Sequence, residues 1–113
     1  MTYKLTLFDL DYTLLPLDSD HAWGEFTSAL GWTDAHDFKR RNDAFYAQYQ
    51  AGTLDIHEYL LFALAPLAHR PREVLDAWHA DFMDSVIRPA IGRKARELVK
   101  KHLDAGDLAC CVT

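Results

Sequence analysis

The chain has 113 residues, of which 50% are hydrophobic, 12% aromatic and 26% charged, and its formal net charge is −5. That composition excludes a disordered or fibrous chain and fits one globular domain of ordinary size. The acidic balance argues against a nucleic-acid partner, whose binding shows as a basic excess, and no apolar run approaches the ~20 residues that cross a bilayer.

Lys4-Leu5-Thr6-Leu7-Phe8 is a short apolar-rich run that reads as a strand ending at Asp9. Pro16 then stops regular structure in Leu14-Leu15-Pro16-Leu17. From there to about residue 88 the pattern is helical. Asp18 or Ser19 caps a helix with Trp23, Phe26 and Leu30 at helical spacing, closed by Gly31. Thr33 or Asp34 caps the next, which carries Phe38, Phe45 and Tyr49 and stops at Gly52. Asp55 with Glu58 resembles a capping box. Its helix carries Ile56, Tyr59, Leu60, Ala63, Leu64 and Leu67, and Pro66 kinks or ends it. Pro71 suits a helix start, and Val74, Leu75, Trp78, Phe82 and Val86 form a fourth stripe. Arg88-Pro89 closes the block. Residues 90–104 predict a fifth helix, with Ala95, Leu98, Val99 and Leu103 as its apolar side and Gly106 as its stop. Leu108-Ala109-Cys110-Cys111-Val112-Thr113 reads as a second, buried strand.

Strand, four-helix insertion, helix, strand is a βαβ unit with a helical block set into it, and its two strands are expected to be parallel. The fold class is therefore α/β. Adjacent strand residues face opposite ways, so Cys110 and Cys111 are poorly placed to bridge each other and read as small apolar residues. They suit a reducing cytoplasm. Met1-Thr2-Tyr3-Lys4 leads into too short and too soon acidic a stretch for a secretory signal, which gives the same expectation of a cytoplasmic location. The six histidines show no paired ligand spacing with cysteine or with each other, and read as scattered surface or core residues.

In open parallel sheets the chemistry sits at the carboxyl ends of the strands. Asp9 and Thr113 both fall there, although 104 positions separate them. A carboxylate at Asp9 can attack phosphorus and form an acyl phosphate. A second carboxylate at Asp11 can protonate the leaving alcohol and later deprotonate the attacking water. The pair also offers hard oxygen ligands to Mg²⁺, and the Thr113 hydroxyl can donate to a phosphate oxygen.

Residues 4–15, with Asp9, Asp11, Thr13 and Leu14 as Asp-x-Asp-x-Thr-Leu after a hydrophobic strand, resemble the first signature motif of the haloacid dehalogenase-like (HAD) hydrolase superfamily. The strand ending at Thr113 is similar to its second motif. The helical insertion between them resembles subfamily IB, the phosphoserine-phosphatase-like branch. The resemblance implies an incomplete Rossmann-like core at 1–15 and 89–113, with a helical cap at 16–88. It implies Asp9 as nucleophile and Asp11 as general acid/base, with Mg²⁺ held by the Asp9 side chain and the Asp11 backbone carbonyl. Thr113 would hold the phosphoryl group. Dehalogenase members lack the second Asp and P-type ATPase members carry Lys there, so Asp11 points to phosphatase or phosphotransferase chemistry on a small-molecule phosphomonoester. The family's Lys and further acidic metal ligands normally follow the second motif. The chain thus reads as an N-terminal fragment with little or no activity of its own. A non-catalytic helical interaction domain is the alternative. Phosphoserine phosphatases carry a cap Arg at about the place of Phe62 or Ala63, so phosphoserine fits less well, while histidinol phosphate and other small esters stay open.

Overall fold

The computed structural model describes residues 3–113. The chain divides into two compact units, one running to Ser19 and resuming over Met83–Thr113, the other Asp20–Phe82.

The first unit holds the sheet. Strands β1 (Leu5–Asp9) and β2 (Leu108–Val112) pair in parallel, with Leu5 opposite Leu108 and Asp9 opposite Val112. The parallel βαβ expectation holds. The helix before β2, α6 (Arg93–Asp104), starts three residues later than the sequence suggests, behind Gly92. Gly106 takes φ +82° after it, so the Gly106 and Asp107 amides can bond back to Leu103 and His102 at 3.0 Å each. Phe8, Leu15 and Ile87 are the buried apolar residues of this unit.

Two readings of this unit need correction. Cys110 and Cys111 are exposed free thiols, not buried strand residues. The apolar side of α6 buries no residue fully, and Leu98 and Leu103 stay exposed. The cause is common to both: each strand has one neighbour in a two-stranded sheet, so little apolar surface is available for covering them.

The second unit holds the four helices expected: α1 (Ser19–Ala29, its first residue belonging to the sheet unit), α2 (Ala35–Ala51), α3 (Ile56–Leu64) and α4 (Arg72–Phe82). Their ends follow from local chemistry. The Asp34 carboxylate accepts the Asp37 amide at 2.8 Å and caps α2, and the Asp55 carboxylate accepts the amides of His57 and Glu58 and caps α3. Gly52, at φ +73°, closes α2. Pro66 lies in a 3₁₀ turn, Ala65–Leu67, where α3 gives way. The core is aromatic: Phe38 stacks on Phe62 at 4.5 Å, and Trp23 meets Phe82 edge-on at 5.1 Å.

Arg88-Pro89 does not close the helical run. The chain passes from α4 through a π-helical turn, Met83–Ile87, into a short α5, Arg88–Ala90. Proline is tolerated there because it stands in a first helical turn, where amides have no intrahelical acceptor.

Candidate active site

Asp9 is the last residue of β1, and the loop behind it folds back on itself. The amides of Thr13 and Leu15 both donate to the Leu10 carbonyl, at 3.2 and 3.0 Å, and the Tyr12 amide donates to the Leu17 carbonyl at 3.3 Å. Tyr12 turns the corner with φ +57°, in the left-handed region that a non-glycine residue enters at a cost. Leu15 anchors the loop, with only 2% of its surface exposed.

This turn sets both carboxylates. The Thr13 hydroxyl donates to Asp9 Oδ2 at 2.8 Å. The Ser19 amide, first in α1, donates to Asp11 Oδ1 at 3.0 Å. Asp11 therefore satisfies one of the free amides at a helix N-terminus, where a negative charge is favoured. One oxygen of each carboxylate is left without a partner among the described residues. Thr113 follows Val112, the β2 residue opposite Asp9, so its hydroxyl comes from the same carboxyl edge of the sheet. Asp9, Asp11 and Thr113 thus belong to one unit and one edge. The Asp9 carboxylate and the Asp11 backbone carbonyl are hard oxygen donors of the kind Mg²⁺ takes, so these residues fit the ion that the motif implies.

The described residues contain one other group able to approach a cation, His21, Glu25 and Asp43 in the helical unit, whose ligand atoms lie within 4.8 Å of one another. Sequence reasoning missed it. The His21/Glu25 i,i+4 spacing was visible, but Asp43 arrives only when α2 packs beside α1. A protein cation already holds these carboxylates: Lys39 Nζ stands 3.0 Å from Asp43 and 3.4 Å from Glu25. The hydrogen bond to Asp43, followed by that to Glu25, raises the Lys39 pKa above its ordinary value. The cluster is a local ion-pair network.

The sequence profile described as haloacid dehalogenase-like hydrolase matches residues 6–113. The chain belongs to that family. Over 104 residues it is 46% identical to a histidinol-phosphatase of Neisseria meningitidis serogroup C (strain 8013), a match covering 92% of this chain and 47% of that protein. A solved structure of a protein with unknown function from Bordetella pertussis Tohama I is similar over all of this chain and 51% of its own, with TM-score 0.87 and 44% identity. The chain spans about half the length of these relatives. The α/β architecture with its parallel strand pair is accordingly an incomplete HAD core. Among the described residues, no helix is long and apolar enough to cross a membrane.

Proposed function

We propose that the protein containing this chain is a Mg²⁺-dependent phosphomonoesterase that works through an aspartyl phosphate on Asp9, and that its substrate is histidinol phosphate. The observation that carries the reading is the paired carboxylates of one loop, each anchored by one oxygen and, among the described residues, without a partner at the other. The histidinol-phosphatase relative supports the substrate. The helical block at 16–88 supports a capped member of the superfamily, subfamily IB.

In this reading a free Asp9 oxygen attacks phosphorus while the bond from phosphorus to the ester oxygen breaks. Protonated Asp11 gives its proton to that oxygen, and the alcohol departs. Asp11, now a carboxylate, takes a proton from the water that attacks the aspartyl phosphate. Inorganic phosphate leaves and Asp9 is regenerated. The Thr113 hydroxyl donates to a phosphoryl oxygen as charge builds there. The Asp9 side chain and Asp11, through its backbone carbonyl, would hold Mg²⁺. The bound ion supplies neutralisation of phosphoryl charge.

The test is phosphate release from histidinol phosphate and from phosphoserine by the full-length protein, with Mg²⁺ and after chelation. Turnover of histidinol phosphate, its loss on chelation and its recovery with added Mg²⁺ are expected. Asp9→Asn should abolish turnover, because an amide is a poor nucleophile and a poor metal ligand. Wild-type turnover in that variant would refute the mechanism, and a preference for phosphoserine would refute the substrate.

A further inference from the structure

The helical unit contains a cleft of about 860 Å³ that the reading above does not use. Its walls include Arg41 from α2 and Arg70 from the segment between the 3₁₀ turn and α4. Both guanidinium groups lie over aromatic rings: Arg41 is 4.7 Å from the Phe62 ring centre, and Arg70 is 4.1 Å from that of Trp32 and 5.5 Å from that of Trp78. Stacking uses the face of a guanidinium and leaves its N–H edges for planar acceptors. Arg70 gives its Nε–H to the Pro66 carbonyl at 2.7 Å, which fixes its direction further.

Neither guanidinium meets a carboxylate among the described residues. Arg40, Arg72, Arg88 and Arg93 each do. Trp32 and Thr33 also line the cleft, and the indole Nε1–H and the hydroxyl they carry are buried behind its surface without a hydrogen-bond partner among the described residues. Buried polar groups in native proteins are ordinarily paired, and unpaired ones call for a ligand or water. The three acidic wall residues form no ion pair with either arginine among the described residues. Asp34 is engaged in capping α2, Asp37 pairs with Arg40 at 2.6 Å, and Glu58 is exposed at the start of α3.

We propose that this cleft binds a small organic oxyanion, a carboxylate or a phosphate, through the N–H edges of Arg41 and Arg70. Two planar forks held by stacking suit a planar or tetrahedral oxyanion, which each can grip by paired hydrogen bonds. The site uses residues 32–70 and neither Asp9 nor Asp11, so it does not depend on the catalytic reading.

The test titrates the full-length Asp9→Asn protein with citrate and, separately, with inorganic phosphate, following tryptophan fluorescence and heat of binding. The Asp9→Asn background removes turnover as a source of signal. A saturable change with at least one anion is expected, and the tighter arm identifies the source of the oxyanion. Arg41→Gln, at an exposed position, should weaken binding at least tenfold with an unchanged circular dichroism spectrum. Arg70→Lys, which keeps the charge and loses the fork, should weaken it comparably. Absence of a saturable change with both anions overturns the proposal. So does binding by both variants as tight as that of the Asp9→Asn parent, or an identical response to chloride at matched ionic strength.

Discussion

Thr13 and Asp11 show how single residues hold the motif loop. The bond from the Thr13 hydroxyl to Asp9 is a hydrogen bond to a charged group, a class worth about 1.5–3 kcal/mol. If it aligns Asp9 for attack, Thr13→Val lowers kcat by roughly 10- to 100-fold, since about 1.4 kcal/mol is one decade of rate. Thr13→Ser, which restores a hydroxyl, should recover most of the loss. Two substitutions separate the roles of Asp11. Asp11→Asn keeps an oxygen for the Ser19 amide but cannot pass a proton, so a loss of ~10²–10⁴ in kcat is expected with near-normal stability. Asp11→Ala also removes the acceptor and should cost a further ~0.5–2 kcal/mol of stability, read from urea unfolding. Equal stability of the two variants would mean that the Ser19 contact contributes nothing. The places of Asp9 and Thr113 at the carboxyl ends of the two strands were legible in the sequence because strand ends fix them. The Thr13 and Ser19 bonds were not, because they depend on Tyr12 turning left-handed, which its residue type does not announce.

Between elements, two contacts are decisive. Gly24 sits inside α1, where glycine costs ~1 kcal/mol relative to alanine. It is there because α2 passes close by: a Cβ on Gly24 would lie 2.7 Å from the Asn42 side-chain nitrogen, itself buried and donating to the His21 carbonyl at 3.2 Å. Overpacking costs ~1–3 kcal/mol against that propensity gain. Gly24→Ala should therefore destabilise the fold by about 1 kcal/mol, while in an Asn42→Ala background the same change becomes stabilising. The sequence pattern carried the stripe of Trp23, Phe26 and Leu30 but not this small residue, whose meaning lies in its partner helix.

The second contact ties β1 to the turn before β2. Thr6 donates to Asp107 Oδ2 at 3.1 Å, and His102 Nδ1 lies 2.8 Å from the same oxygen. An ionised carboxylate only accepts, so Nδ1 carries the proton. The His102 bond, ahead of that from Thr6, holds the Asp107 carboxyl below its ordinary value of 3.8. A lowered folded-state pKa stabilises the fold above the unfolded value and stops doing so as pH falls through the folded one. The stability difference between wild type and Asp107→Asn should be flat above about pH 5 and shrink below pH 4. A difference that stays constant down to pH 2 would exclude this linkage.

The sheet unit as a whole explains why apolar patterning overstated its burial. Cα partners in a parallel ladder share a face, so Leu5, Leu7, Leu108, Cys110 and Val112 form one side of the sheet. All five are exposed, Leu7 by 60% and Leu108 by 58%. The other side carries Phe8, which is buried and meets the His102 ring at 5.7 Å. The pattern correctly marked both strands as apolar on both sides, the signature of a sheet covered twice. Within residues 3–113 Phe8 is covered, its partner Cys111 on the same side is exposed, and the Leu7 side is bare throughout. A contiguous apolar face of this kind drives association. Residues 1–113 prepared alone should bind a hydrophobic dye such as ANS and self-associate with rising concentration, as seen by light scattering. Leu7→Lys with Leu108→Lys should suppress both while leaving the helical circular dichroism signal intact, since neither side chain is packed. Dye binding and association that persist in the double variant would assign the stickiness to another surface, with the exposed Leu61 and Leu64 side of α3 as the next candidate.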